Sequence, residues 1–504
     1  MRLKLKAGPA IGFLPMSMTK QLKPLWREFQ YKPHQVIGIE WMLSLEQGGT
    51  GGLMCDEMGL GKTIQLAGLL KNTSPKGDTL LIAPVAVLEQ WKSVLKRVFM
   101  NVFVPSRSGM SWHRESKKYF LAPNVHVIGY ESALRKTTLI RAYVWHRVIY
   151  DEAHRLGSNN TSTELALLLK APIKWMLTGT PIVNKPRELT RLLEIAGVKM
   201  PPTTDLDTLA PILKRYVIAR TMNQLRATLP DAPPPPVYKD IELEFNTAEE
   251  REFYLGMTGA ITRRWKALEA DSGGAAALEK LKLFMRLRQL SLHPQIYIAG
   301  RKKSLGPLYA RPDWAGSSTK FDKLRDIVCQ SAESHKWIVF CHFHHEMEML
   351  ENMFRLETNV ELVQQYHGGL TAAQKQDVIE RSHMPVAEGK QEVLLVQLQS
   401  GGTGLNLQHF DQIIFTGPWW TKALMEQAVG RAVRIGQKKV VTVYNLHLKE
   451  EGAINIDTYM FDKANSKGEM CKKALLMANT SVSLGPAQNA PFSIEKNVAT
   501  HRNE

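Results

Sequence analysis

In the stretch DEMGLGKT, Asp56 to Thr63, two glycines one residue apart precede a lysine and a threonine. That order suits a phosphate. Gly59 and Gly61 let backbone N–H groups turn toward an anion, Lys62 reaches the outer phosphates, and the Thr63 hydroxyl is a magnesium ligand. The stretch matches the tail of G-x-x-x-x-G-K-[ST], with Asp56 where the first glycine normally stands. About ninety residues later, RVIYDEAH ends an apolar run on Asp151 and Glu152. The first carboxylate is placed to hold magnesium through water, the second to orient and deprotonate an attacking water. Far downstream, QAVGRAVRIGQ (Gln427 to Gln437) sets Arg431 and Arg434 three residues apart. On a helix that spacing gives both side chains one face, and Gly430 and Ala432 leave room for close approach. Two such arginines would neutralise charge on a γ-phosphate. The expected catalytic set is therefore Lys62, Asp151, Glu152, Arg431 and Arg434, acting on a nucleoside triphosphate with Mg2+, and Thr63 and Asp151 are the metal residues; the resemblance described below makes the nucleotide ATP.

These groups need a scaffold that presents loops at strand ends. From about residue 50, GGLMC, TLLIAPV, NVHVIGY, RVIYDE and KWMLTGT are apolar blocks bounded by Gly, Pro, Asp or Asn, separated by amphipathic stretches. They read as buried parallel strands alternating with helices, and the strand that ends on Asp151 puts it at the edge where open α/β sheets bind ligands. The grammar restarts after residue 318 with KWIVFCHF, VELVQQYHG, EVLLVQL, QIIFTGP and VTVYNLHL. Between the two lies a different region, in which PDAPPPPV is a stiff spacer and TAEEREFYLGMTGAITRRWKALEA and AAALEKLKLFMRLRQLSL are helical. The expected fold class is α/β, two parallel-sheet lobes, RecA-like by the family resemblance described below, with a helical insert between them. The boundaries are an extension over 1–24, lobe 1 over 25–227, insert and linker over 228–317, lobe 2 over 318–475, and a loosely ordered tail over 476–504.

Composition narrows the class. The chain has 504 residues, 65 basic against 48 acidic, for a formal charge of +17. Such an excess favours a polyanionic partner through counterion release. No apolar run approaches the roughly 18 residues of a membrane span, so no membrane association is expected. Four cysteines lie far apart without metal-site spacing, which fits free thiols in a reducing compartment. CHFHH, Cys341 to His345, follows an apolar strand, and alternation would split its side chains between two faces rather than gather a metal.

The ordered series YKPHQVIGIEWML, DEMGLGKT, LIAPVAVLEQW, VIGYES, DEAH and MLTGTPIVN resembles the helicase motifs of superfamily 2, and more narrowly those of the Swi/Snf-type DNA translocases. The form DEMGLGKTIQ is that family's variant of the phosphate loop, which accounts for Asp56. The resemblance, which spans about residues 25 to 470, implies that Gln35 reads adenine. With Asp56, Glu57, Met58, Gly59, Leu60, Gly61, Lys62, Thr63, Gly402 and Gln427 it makes up the implied ATP-binding set. TGTP, Thr178 to Pro181, would couple nucleotide state to DNA grip. Pro84, Trp91, Thr180, Gly401, Gly404, Asn406 and Trp419 are the implied DNA contacts. YVIARTMNQLRATLP and RLRQLSLHP resemble further family segments in the expected order.

Three departures from the pattern stand out. Gly417 occupies the place of an Asp before Pro-Trp-Trp, Gln397 to Ser400 replace a Ser-x-x-Ala run, and Val433 stands where His is common. The implied activity is DNA-stimulated ATP hydrolysis that drives translocation on duplex DNA and remodels or displaces protein–DNA complexes. A monomer would suffice, in a nucleus or another DNA-containing compartment, or in cytoplasm for a bacterial or viral chain. A strand-separating helicase shares the same ATP site and remains the nearest alternative. A non-hydrolysing DNA-binding scaffold is the remote one, against which the intact Lys62, Thr63, Asp151, Glu152 and paired arginines speak.

Overall fold

A computed structural model describes residues 22–74, 76–268, 273–398, 405–450 and 455–479. Among them lie two separate sheets. The first contains β1 (Gly52–Met54), β2 (Asp78–Ala83), β3 (Asn101–Pro105), β4 (Trp112–Arg114), β5 (Asn124–Gly129), β6 (Trp145–Asp151), β7 (Ile173–Leu177) and β8 (Val217–Ile218). Their spatial order is β4-β3-β5-β2-β6-β7-β1-β8, and every pair except β3–β4 is parallel. The second contains β9 (Val237–Leu243), β10 (His335–Cys341), β11 (Val360–Tyr366), β12 (Gln391–Gln397), β13 (Gln412–Phe415) and β14 (Thr442–Leu448). It runs β11-β12-β10-β13-β14-β9, parallel throughout. The expected class, two parallel-sheet α/β lobes, is what the chain forms.

Period-two alternation distributes each strand between two cores. In β6, Val148 and Tyr150 join one apolar cluster while Ile149 joins the cluster on the opposite face. In β10, Trp337, Val339 and Cys341 face one side and Ile338 and Phe340 the other. Strands apolar on both faces can only be central, and these are covered by helices on both sides.

The segment expected to be insert and linker is built onto the second lobe. β9 pairs along its whole length with β14, from Val237↔Thr442 to Leu243↔Leu448. The helices Ala248–Ala267, Gly274–Leu292 and Pro294–Leu305 pack through Tyr254, Ile261, Leu287 and Ile296 on the face that carries Trp337 and Val339. Thr247 caps the first of these helices by accepting from the Glu250 amide, with Glu249 and Glu250 in the first turn. The strand VYKDIEL escapes a hydrophobicity search because it is an edge strand, exposed over most of its length.

The last helix, Ile456–Asn479, leaves the second sheet and returns to the first lobe. Cys471, Ala474 and Ala478 are buried in the cluster of Leu53, Leu209 and Leu213. Lys473 pairs with Asp207 at 3.3 Å, and Lys467 reaches the Asn184 carboxamide at 2.9 Å. Among the described residues, no helix is long and apolar enough to cross a membrane. Ala474→Glu would bury an unpaired carboxylate in that seam. Trypsin should then cut at Lys472 and Lys473 several-fold faster than in the native chain, with the two sheets still folded by circular dichroism; unchanged cleavage would show that the seam is not closed.

Candidate functional site

The loop after β1 is anchored before it reaches its glycines. Asp56 is fully buried, and Arg220, two residues past β8, grips it with two bonds, Nε to Oδ1 at 2.9 Å and Nη2 to Oδ2 at 2.5 Å. Gln65 donates to Asp56 Oδ2 at 2.9 Å and accepts from Arg220 at 2.8 Å. The Asp56 side chain, expected among ATP-binding groups, is spent on this buried pair and turns away from the loop's open side. A bidentate Arg–carboxylate pair fixes both position and orientation, so the loop gains an anchor where a glycine would give only freedom.

Beyond the anchor, Gly59 and Gly61 have φ of +89° and +80°, a left-handed path that suits glycine. Leu60 between them is buried with Met222, Leu225 and Leu229, and its carbonyl lies 2.8 Å from His34 Nε2. The loop therefore offers its backbone. No side chain caps the helix Lys62–Asn72 at Gly61, so its first-turn amides face outward with the helix's partial positive charge. Lys62 Nζ donates to the Asp56 carbonyl at 2.7 Å, and the TGTP turn backs onto it, since a Cβ on Gly179 would stand 3.9 Å from Nζ. Gln35 is buried beside Gly61, where a Cβ would come within 2.7 Å of its Nε2, and Thr63 follows half-buried on the helix. Glu57 accepts from the Met222 amide at 2.6 Å, and Met58 projects toward the second lobe. Backbone donors and an ammonium group thus meet at the helix start, with a hydroxyl on the next residue, which is the donor set a triphosphate with magnesium requires.

Asp151 closes β6 and is held from three directions. Trp91 Nε1 donates to its Oδ2 at 2.7 Å, the Glu152 amide to its Oδ1 at 2.9 Å, and Tyr130 Oη to its carbonyl at 2.9 Å. Burial first, and then the adjacent Glu152 charge, push the Asp151 carboxyl up to about 6. Glu152 adopts φ +50°, ψ +48°, a left-handed conformation costly for a side-chain-bearing residue and concentrated at functional sites. Burial opposes its ionisation, but His154, Lys62 and Arg431 outweigh burial and hold it at about 2. His154 Nδ1 lies 3.4 Å from Glu152 Oε2 and 3.2 Å from Thr178 Oγ1. Thr178 Oγ1 in turn accepts from the Thr180 amide at 3.1 Å, so TGTP and DEAH form one polar network.

The two arginines arrive from the second lobe, but not on a helix. The helix Lys422–Val429 stops at Gly430, and Arg431 and Arg434 lie on the turns that follow. Amide bonds of Arg431 to Ala428, Ala432 to Val429 and Gln437 to Arg434 tighten these turns, and Gly436 has φ +105°. The tightening lets the chain meet the first lobe: a Cβ on Gly430 would lie 3.1 Å from Met58 Sδ, and Ile435 packs on the Leu60 cluster. Arg431 is 4% exposed. Burial and then Arg434 lower its guanidinium to about 10, against the opposing charges of Glu152 and Asp151. Arg434 is half-buried and donates from Nε to the Gly430 carbonyl at 3.0 Å. Of the two, Arg431 is the one drawn toward the carboxylates; Gln427 sits half-buried one turn earlier.

Four of the implied DNA contacts, Pro84, Trp91, Thr180 and Trp419, are buried in the described fold. Trp91 is 1% exposed because the helix Val85–Arg97 turns Trp91 and Leu95 inward, four residues apart. Pro84 is buried at that helix's start, where Val85 and Ala86 are exposed instead. Thr180 is buried in the turn beside the phosphate loop. Trp419 is buried as well, stacked on His342 with ring centroids 5.3 Å apart and under Arg288 at 4.5 Å, while Trp420 stacks on Phe284. Asn406 is exposed as a contact must be. Gly401, Gly402 and Gly404 lie outside the described residues. Gly417 borders Lys320, whose Nζ would be 3.3 Å from a Cβ there; Lys320 pairs with Asp457 at 2.6 Å, which supplies a carboxylate from another element. Arg220, Tyr130 and His154 had no assigned role from sequence. Each nevertheless lies in a stretch on which the family resemblance rests: Arg220 in YVIARTMNQLRATLP, Tyr130 in VIGYES and His154 in DEAH.

Residues 34–296 match the family model "SNF2-related domain", and residues 319–436 match "Helicase conserved C-terminal domain". The chain is 26% identical over 454 residues to "Probable ATP-dependent DNA helicase CHR12" of Arabidopsis thaliana, covering 83% of this chain and 40% of that protein. It is likewise 26% identical over 464 residues to "Probable global transactivator" of Orgyia pseudotsugata multicapsid polyhedrosis virus, covering 86% of this chain and 89% of that one. This chain thus spans about two fifths of the plant relative and most of the viral one. Among solved structures it is similar to the Sulfolobus solfataricus SWI2/SNF2 ATPase core in complex with dsDNA, at 20% identity and TM-score 0.39, covering 91% of this chain and 99% of that chain.

The buried anchor makes its own prediction. Arg220→Ala leaves the Asp56 carboxylate uncompensated and should cost about 3–5 kcal/mol of stability in urea unfolding, part of it regained when Asp56→Ala is added. A native urea midpoint in the single variant would deny the pair its role.

Proposed function

Because the chain belongs to the SNF2-related family, we propose that it hydrolyses ATP between its two lobes and uses the cycle to move along double-stranded DNA, remodelling or displacing bound proteins. The observation that carries this reading is the seating of the second lobe's Gly430 turn against Met58 of the phosphate loop, which buries Arg431 where its charge and those of Glu152 and Asp151 act on each other. A site divided between two bodies is sensitive to their separation, which is the property a motor needs. The similarity to the plant relative, a probable ATP-dependent DNA helicase, supports the use of ATP and DNA. The charge of +17 supports a polyanionic track.

The chain's own residues divide the work. Gly59 to Gly61 present backbone donors to the phosphates, Lys62 neutralises the outer ones, and Gln35 reads the base. Thr63 and Asp151 are the residues that would hold Mg2+, which supplies charge neutralisation across the phosphates when bound. Glu152, ionised throughout the neutral range, orients the attacking water and accepts its proton. Arg431 completes the positive environment of the γ-phosphate as the lobes close, with Arg434 setting the turn and adding charge. His154 and Thr178 pass the state of Glu152 to TGTP. Exposed Asn406, and backbone at Val85 and Ala86, are the surfaces we assign to DNA. One chain supplies both halves of the site, so a monomer is sufficient, and its place is any compartment that holds DNA.

The ATPase rate should rise most with duplex DNA when measured with no nucleic acid, single-stranded DNA, duplex DNA and RNA. Equal rates in all four would contradict the translocase reading, and rapid unwinding of a forked duplex without a protein roadblock would favour strand separation. Glu152→Gln should bind ATP as the native chain does while turnover falls by about 10²–10⁴-fold; native turnover would remove Glu152 from the chemistry.

A further inference from the structure

Among the described residues, Trp91 carries the one indole N–H that meets a carboxylate of the proposed ATP site, and the DNA contact implied for it does not explain that bond. Its Nε1 donates to Asp151 Oδ2 at 2.7 Å, although the residue is otherwise sealed in the core with Ala83, Val127 and Ile149. Asp151 and Ile149 alternate with Tyr150 along β6, so they share the sheet face on which the helix Val85–Arg97 lies. A tryptophan can only donate at this atom. It therefore selects a carboxylate oxygen as its partner and fixes one rotamer of Asp151. The Glu152 amide, on the other oxygen, completes the clamp.

Packing alone does not require this. Leu95, on the same inward stripe, fills the core without any polar partner, and a phenylalanine would fill nearly the same space as the indole. A side chain whose only polar atom is spent on a candidate metal residue behaves as the outer support that orients a metal ligand. We propose that Trp91 is a positioning residue for Asp151: it holds the carboxylate in the orientation that receives Mg2+ with the nucleotide, and ties that orientation to the seating of the helix Val85–Arg97 on the sheet. This rests on the reading of the ATP site given above. The same helix exposes Val85 and Ala86 at its start, at the sheet edge that also carries the phosphate loop, so a displacement there is transmitted to the carboxylate.

The test is equilibrium binding of a fluorescent ATP analogue to the full chain, titrated with Mg2+ and repeated in EDTA, so that no turnover is needed. The native chain should bind more tightly with Mg2+. Trp91→Phe should bind as the native chain does in EDTA but require about tenfold more Mg2+ for half of the gain. Leu95→Ala should lower the melting temperature yet leave the Mg2+ dependence native, which separates loss of packing from loss of the N–H. Trp91→Phe with the native Mg2+ requirement, or Leu95→Ala with an equal shift, would overturn the proposal while the ATP site stands. A native chain that binds the nucleotide identically in Mg2+ and EDTA would overturn both this proposal and the site on which it rests.

Discussion

A guanidinium taken out of water needs negative charge within reach, and Arg431 finds it on a sheet that is not its own. Its neighbour on the same loop, Arg434, raises the cost of that burial, while Glu152 and Asp151 across the cleft lower it. The dependence is mutual, since Arg431 is among the charges that keep Glu152 ionised. Two bodies with separate hydrophobic cores are thereby coupled electrostatically at the cleft. The remaining contacts between them set that coupling: Gly430 against Met58, Ile435 against the Leu60 cluster, and the last helix laid on the first lobe through Cys471 and Ala474.

On the first lobe the receiving groups are held more firmly than a glycine-rich loop would suggest. Asp56 and Arg220 fasten the loop to the strand that leaves the lobe, and Trp91, Tyr130 and the Glu152 amide surround Asp151. Glu152 accepts a left-handed backbone to stand between His154 and the cleft. The freedom left to the site lies in the distance between lobes. A small change there alters the field at Glu152, because Arg431 is buried and its charge is weakly screened.

Much of this was legible in the amino-acid order because central parallel strands leave the strongest trace. RVIYD, KWIVF and EVLLV are apolar on both faces and read as strands without any knowledge of their neighbours. The edge strand VYKDIEL is exposed on both sides and reads as linker; only its ladder with β14 makes it a strand. The phosphate loop, Asp151 and Glu152 were readable because their types and spacing are set by local backbone chemistry. Arg431 and Arg434 were read onto one helical face, but helical spacing continues past Gly430 while the backbone does not. Trp91, Thr180 and Trp419 fit both a surface and a core in sequence, and their burial is a property of the whole fold that spacing does not carry. Arg220 and Asp56 are 164 residues apart, a separation at which spacing carries no information.

The central claim is that the second lobe completes the first lobe's site through Arg431. Single-turnover hydrolysis by Arg431→Ala on saturating duplex DNA, with ATP binding measured on the same preparation, tests it most directly. Binding within a few-fold of native and turnover reduced by about 10³-fold or more is the result expected of an arginine that acts on the transition state. Native turnover by Arg431→Ala would contradict the account.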